Sequence, residues 1–444
     1  MGVIFDQQLN FKSHLQQSIK KGTKAALALA GVARTTWGVP YRYARQLFQT
    51  VIAPRTDYAA IIWHRPKQNG STADTTQIRK LNTVQRLAMK AISGCYRTTP
   101  TAAMEIETEL QPVWIRLQTR VLLAITRMQS LSEAHPIKGR LINALRTRTA
   151  NISHRSNLEN ILQQFPFMTG SLETIDPFIR PPWWETAVKI QIAASKDEAV
   201  NLHDTLQRQD PRSNGIMTIY TDGSGINGKI GAAAYNATTD ETRHQHLGDE
   251  LRFNVYAGEL TALHMGVIQW QESDYLKCRI FTDSQAAGTS VCQPWRQSGQ
   301  KLIIPIVDVI DTLTVQNPQR QLEIIWIPGH RGIVGNERAD VGAKQAAHDP
   351  IIGKPFTHGS LKSCRAQYIR ALAKTSWKKE WTENNKTAKQ LRRILVTDED
   401  KRGTKLYYNM ANRRISAKLA QLRTGHCPPK WLSSSIWQEE QSNM

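Results

Sequence analysis

Five residues in this 444-residue chain have the types and spacing that phosphodiester chemistry requires. Asp222, Glu259, Asp283 and Asp340 are acids distributed between Ile216 and Ala347, and His330 stands ten residues before the last of them. Taken alone, Glu259 reads as an exposed helix residue; the combination carries the signal. Clustered carboxylates repel one another and rise in pKa unless cations neutralise them, so a purely structural cluster would be costly. Mg²⁺ is a hard cation that takes oxygen ligands and keeps several waters. Two such ions, roughly 4 Å apart, can hold an attacking water and the leaving oxygen of a phosphodiester. Histidine can move protons near neutral pH, and His330 could serve as a shuttle or assist product release.

These side chains need elements that converge. Ile216-Met217-Thr218-Ile219-Tyr220-Thr221 alternates and reads as a strand ending at Asp222-Gly223-Ser224-Gly225, whose small residues leave room for a phosphate. Residues 231–235 and 242–247 read as the next strands, with 236–240 as their turn. A helix is expected from Val255 to about Trp270, carrying Glu259 one turn inside. Arg279-Ile280-Phe281-Thr282 reads as a strand that ends in Asp283. Residues 302–315 suit a helix with Pro305 near its first turn, and 322–326 a fifth strand. Pro328-Gly329-His330-Arg331-Gly332 reads as a loop, and a last helix begins near Asn336 as N-cap, placing Asp340 in its second turn. The order predicts an α/β layer fold with a five-stranded mixed sheet. Carboxyl ends of its strands are where such folds gather their sites.

Composition sets the surroundings. Lys plus Arg number 58 and Asp plus Glu 37, a net charge of +21, which favours a polyanionic partner such as nucleic acid. Cys95, Cys278, Cys292, Cys364 and Cys427 are scattered, with no CxxC pair; neither a disulfide framework nor a zinc site is expected, and a reducing, intracellular setting (nucleus or cytoplasm) is. No apolar run is long enough to span a membrane, and the N-terminus lacks a signal-peptide pattern. Neither membrane association nor a small-molecule cofactor is expected.

Residues 1–170 read as amphipathic helices. Tyr43, Leu47 and Val51 form one stripe, Leu81, Val84, Leu87, Ala88, Ala91 and Ile92 another, and Leu117, Val121, Ile125 and Met128 a third. Arg116, Arg120 and Arg127 are expected to leave the third stripe for outer faces, which could track phosphates or be merely solvated. Trp37 and Trp63 are expected as core anchors. Asn69-Gly70-Ser71 reads as a loop. No paired aspartates on a hairpin suggest a polymerase centre. Residues 171–215 read as a linker broken by Asp176-Pro177, Pro181-Pro182 and Asp210-Pro211, with a short helix near 196–206 and Trp183 and Trp184 docking it. Residues 351–444 read as a basic helical segment, with Lys374, Lys378, Lys379, Lys386, Lys389, Arg392 and Arg393 interleaved with Trp377 and Trp381, and Arg413, Arg414 and Lys418 following. It suits either a strand-tracking surface or a helical hairpin with snorkelling lysines.

Residues 216–350 resemble type 1 ribonuclease H, as carried by non-LTR (LINE-like) retrotransposon polyproteins. The matching phrases are Tyr220-Thr221-Asp222-Gly223-Ser224, Ala257-Gly258-Glu259-Leu260, Thr282-Asp283-Ser284-Gln285, Trp326-Ile327-Pro328-Gly329-His330 and Gly335-Asn336-Glu337-Arg338-Ala339-Asp340. The resemblance implies an RNase H-like fold. It also implies metal-dependent cleavage of the RNA strand of RNA–DNA hybrids, leaving a 3′-hydroxyl. Asp222, Glu259, Asp283 and Asp340 would be ligands of two Mg²⁺ ions, with Mn²⁺ as a substitute, and His330 the mobile histidine. Ser224 and Gln285 match places where the family touches nucleic acid; Val255 and Tyr256 stand where cellular members place asparagines that grip the hybrid. Gly2-Val3, Asp6, Leu9, Phe11 and His14, then Tyr58 and Trp63, resemble the region after the polymerase palm of the same elements. Leu422-Arg423-Thr424-Gly425-His426 resembles a phrase that follows their nuclease, although His426 and Cys427 cannot alone make a four-ligand knuckle. The chain so read is a polyprotein fragment. The alternatives are a relic that binds nucleic acid without cutting it and, ranked last, an integrase-like member of the same fold.

Overall fold

Alternation along 216–221 divides that strand between two faces. Met217 and Ile219 enter one core cluster, and Tyr220 enters another on the opposite side. The same division runs through the neighbouring strand, where Ile230, Ala232 and Ala234 join Ile219, and Tyr235 joins Tyr220. This period of two gives the sheet two buried faces, each covered by helices.

The computed structural model describes residues 2–65, 76–146, 157–178, 180–181, 183–209, 215–349, 357–383, 388–394 and 412–425. The loop expected at Asn69-Gly70-Ser71, together with Pro182, Asp210-Pro211, Lys386, His426 and Cys427, lies outside these. Described residues fall into two compact units. One draws on Met1–Ala124, Thr149–Phe165 and Ile369–Met444, the other on Ile125–Arg148 and Pro166–Tyr368.

The second unit holds a six-stranded sheet. Its strands are β1 (Ile190–Gln191), β2 (Ile216–Ile226), β3 (Lys229–Asn236), β4 (Glu241–Asp249), β5 (Lys277–Thr282) and β6 (Gln321–Trp326). Their order is β1-β6-β5-β2-β3-β4. The first four in that order run parallel, and β3 and β4 are antiparallel to their neighbours. One face carries helices Val255–Gln271 and Gln300–Gln316, which contribute Leu260, Leu263, Trp270, Ile303, Ile306 and Ile310 to the larger core. The other carries helices Lys196–Gln209 and Val334–His348.

Several expectations are corrected. The 171–215 stretch carries the helix expected near 196–206, as Lys196–Gln209, but is more than a connector, because it also supplies β1, parallel to β6. The sheet therefore has six strands, not five. Trp184 docks by donating to Asp311 at 3.2 Å, but Trp183 is 83% exposed. Pro305 falls inside a helix that starts at Gln300, rather than in its first turn. The last helix begins at Val334 with Ile333 in the cap position, so Asn336 is a buried first-turn residue and not the N-cap.

In the first unit, helices Lys12–Val32 and Thr76–Ser93 share a core of Ala25, Ala26, Leu29, Val84, Ala88 and Ile92. Arg116 and Arg120 do not face outward as expected. Both grip the carboxylate of Asp57, at 2.8 and 3.0 Å, and that side chain is fully buried. Arg413 is buried too and donates to the carbonyls of Ala33, Arg34, Ala91 and Ile92. It thereby satisfies carbonyls at the C-terminal ends of both long helices. Trp63 is a core anchor as expected, whereas Trp37 is 60% exposed. Arg392 stacks on Trp381 at 3.8 Å.

Gly231 on β3 marks where the helix Val334–His348 approaches most closely. A Cβ there would lie 2.3 Å from both Ala343 O and Ala347 N, backbone atoms that cannot turn aside. Gly231→Ala should therefore destabilise the sheet-bearing unit by about 1–3 kcal/mol. Calorimetry of the wild type and this variant measures it, and an unmoved transition would contradict the packing.

Candidate metal centre

The parallel β2–β5 pairing stops at Thr221 opposite Thr282, and an aspartate follows immediately in each strand. Asp283 leaves β5 there. Asp222 does not end its strand as the sequence suggested, because β2 continues to Ile226 on its pairing with β3, with Asp222 opposite Ala233. Both carboxylates nevertheless reach the same edge.

Glu259 arrives from the helix Val255–Gln271, whose N-terminus is fixed by Asn254 accepting from the amide of Ala257. That helix presses on β2 at Gly223. A Cβ on Gly223 would sit 2.4 Å from Glu259 N and 2.6 Å from Gly258 C. Only glycine permits this approach, and it sets Glu259 beside Asp222. Asp222, Glu259 and Asp283 each offer a carboxylate oxygen, all within 4.8 Å of one another. Asp222 and Glu259 are buried, with 6% and 5% exposure. Glu259 is therefore buried beside the two strand aspartates, where the Gly223 contact holds it.

Asp340 stands next to this trio without joining its shared triangle. It pairs with Lys344 one turn later, at 2.5 Å, yet its charge still raises the pKa of Asp222 and Asp283. Sequence reasoning missed Lys344; its i, i+4 spacing from Asp340 was the available signal. His330 is exposed, in a left-handed turn conformation with φ of 57°, and close enough to lower the pKa of Asp283. Neighbouring Gly329 packs on Asp283, where a Cβ would meet Oδ2 at 2.6 Å. Trp326 donates to the carbonyl of Asp283 at 3.0 Å. Ser224 is half-buried, three residues before the β2–β3 turn, and Gln285 is exposed at the start of the helix Gln285–Cys292. Val255 is 43% exposed, and the Tyr256 hydroxyl donates to Ser290 at 2.8 Å.

The electrostatics follow from the crowding. Burial, then the charges of Asp283 and Asp340, push Asp222 up to about 7, with Lys344 opposing. Burial and then the two strand aspartates hold Glu259 well above the usual carboxylate range. Burial raises Asp283 against the pull of His330. Glu259 Oε2 is buried with no hydrogen-bond partner, an arrangement that is expensive in a protein interior. An oxygen-only donor set with an unsatisfied buried oxygen fits a hard divalent cation such as Mg²⁺.

Residues 214–348 match the protein-family model described as RNase H. A ribonuclease H of Methylobacillus flagellatus is 31% identical over 153 residues, a match covering 32% of this chain and 97% of that protein. The Pol polyprotein from type-1 retrotransposable element R1 4 of Nasonia vitripennis is 26% identical over 121 residues, 27% of this chain and 29% of that protein. The Pol polyprotein of equine infectious anemia virus (strain Wyoming) is 31% identical over 140 residues, so the chain spans only 11% of its length.

The raised carboxylate pKa values set the sign of a pH effect. A group whose folded pKa exceeds its unfolded value stabilises fully below the unfolded value, and that contribution is lost as pH rises through the folded one. For Asp222 this window runs from the ordinary carboxylate range to about 7. In chelator-treated protein, Asp222→Asn should therefore stabilise at pH 8 by roughly 1–4 kcal/mol, and by much less at pH 4. Calorimetry at the two pH values measures the difference; an equal effect at both would contradict the crowding.

Proposed function

Because the chain belongs to the ribonuclease H family, we propose that it is a divalent-metal-dependent endonuclease hydrolysing the RNA strand of RNA–DNA hybrids. The observation that carries this reading is the convergence of Asp222, Glu259 and Asp283, with Asp340 beside them. These four acids would hold the cations. Mg²⁺ bound there supplies an activated water and charge neutralisation at the leaving oxygen.

The chain's own residues do the rest. The buried walls around Glu259 exclude bulk water and strengthen every charge interaction inside. His330 projects from an exposed turn beside Asp283, where its ring can move a proton or help the product leave. Ser224 and Gln285, each two residues beyond an aspartate of the centre, are our candidates for contacts to nucleic acid. Selecting RNA over DNA requires reading a 2′-hydroxyl, and these two side chains offer donors and acceptors for it. Val255 and Tyr256 bring apolar surface to the same rim. The similarity to the R1 polyprotein supports a retroelement origin, and the basic residues of 351–444 would add affinity for phosphates.

Purified full-length chain should cleave a 5′-labelled RNA–DNA hybrid with Mg²⁺ and not with chelator, sparing single-stranded RNA. Asp283→Asn should reduce the rate by roughly 10²-fold or more, with hybrid binding in a mobility-shift assay largely retained. Cleavage that survives this substitution, or a chelator, sinks the mechanism.

A further inference from the structure

The helix Lys196–Gln209 lies before residue 214, where the family match begins, yet it touches the framework of the acidic centre. Its His203 is 7% exposed. The Nδ1 of that ring is 3.0 Å from Asp204 Oδ1, and its Nε2 is 2.9 Å from the Tyr220 hydroxyl. A carboxylate only accepts, so the proton of a neutral ring sits on Nδ1 and Nε2 accepts from the tyrosine. Gln207, one turn on, donates to the same hydroxyl at 3.0 Å.

Tyr220 and Phe281 are paired across β2 and β5 and stack with centroids 5.1 Å apart and planes 21° apart. The His203 ring meets Phe281 edge-on, 5.0 Å between centroids. Each aromatic ring stands two residues before an aspartate of the site, Asp222 or Asp283. In a strand, residues two apart share a face; Tyr220 and Asp222 therefore line one side of β2. The same Tyr220 ring lies against Gly335, leaving no room for a side chain there, and Gly335 is in the first turn of the helix that carries Asp340. One stacked pair thus underlies three of the four acids, and His203 closes it from the far side. The first turn of the His203 helix also reaches the mobile-histidine loop, where Asp197 lies 3.5 Å from Arg331.

We infer that His203 is a positioning residue for the carboxylate centre, and that the segment 190–209, upstream of the family match, is a working part of this nuclease. The inference rests on the proposed metal-dependent function of the centre. In this reading His203 and Gln207 lock the Tyr220 hydroxyl, the locked ring fixes Phe281 and the Gly335 turn, and the acids keep the spacing that a pair of cations needs. Groups hydrogen-bonded directly to metal ligands change metal affinity about 10–100-fold; His203 acts one residue further out, which places its expected effect at the low end of that range.

The test uses the full chain with His203→Ala and His203→Gln, the latter able to keep a hydrogen bond to Tyr220. Two readouts are taken well below the melting temperature: kcat at saturating hybrid across a Mg²⁺ titration, and KM for the hybrid. A third is the rise in melting temperature that Mg²⁺ produces. His203→Ala should move the half-maximal Mg²⁺ concentration upward about 10-fold, lower kcat, leave KM unchanged and shrink the Mg²⁺-induced rise, with His203→Gln recovering most of each. A variant that melts earlier but keeps the wild-type Mg²⁺ midpoint and kcat overturns the inference, because His203 would then only fill space. If His203→Ala does not fold, Tyr220→Phe keeps the ring and drops the hydroxyl; a raised midpoint supports the inference and an unchanged one overturns it. Should the wild type cleave no hybrid, the proposed function falls by itself, and the Mg²⁺-induced rise still decides: a smaller rise in His203→Ala supports the positioning role, an equal one refutes it.

Discussion

Three carboxylates within 4.8 Å of one another form an electrostatic fault that the rest of the unit must contain. Each is desolvated, each repels the others, and the strain appears as the raised pKa of Asp222, Glu259 and Asp283. No local preference of strand or helix would assemble such a group. It is held because the surrounding contacts are apolar, close and hard to deform. Gly223 lets the Glu259 helix touch β2 backbone to backbone, and the larger core behind it includes fully buried Leu260, Leu263 and Trp270. Hydrophobic burial of that extent greatly exceeds one repulsive cluster, so the fold can hold its acids together. Lys344 already offsets part of the charge at Asp340.

Much of this was legible in the chain, for reasons that differ by element. β2 and β5 announce themselves by β-rich runs that lead into an acid, and the Glu259 helix by its apolar spacing. Their positions locate Asp222, Glu259 and Asp283 without any knowledge of contacts. The depth of Glu259 was not legible, since it depends on a glycine-to-backbone approach between elements over thirty residues apart. β1 has two residues, too few for any periodicity, and it exists only because β6 offers a parallel edge. His203 looked like one polar residue in a polar helix, and its meaning comes from the rings it meets. The misplaced cap at Asn336 has the same origin: tertiary burial of the first turn overrode the local signal.

Charge counting was the least faithful guide. A net +21 suggests a surface of cations, but several arginines are consumed inside the units. In the first unit Arg116 and Arg120 share buried Asp57, Arg413 is spent on four helix-end carbonyls, and Arg423 meets the fully buried Glu107. In the second, Arg365 donates to the carbonyls of Met168, Gly170 and Ser171 and to Gln129. Guanidinium suits this use because its planar fork supplies five donors and its charge is weakly hydrated. These residues act as internal clamps.

Other basic residues stand at the surface. Lys12, Lys20 and Lys24 line an exposed side of one long helix, and Lys374, Lys378 and Lys379 line another. Lysine ammonium groups on flexible stems follow a phosphate track without fixing its sequence. Affinity so obtained is electrostatic and weakens steeply with salt, and it carries no choice between RNA and DNA. A choice between RNA and DNA requires side chains that read a 2′-hydroxyl, which lysine charge alone does not do. The side chains divide by their chemistry: these lysines stand on exposed helix faces, and the arginines are built into the interior. The clustered carboxylates are the costly part of the unit, each desolvated beside like charge, and a divalent cation would relieve that cost.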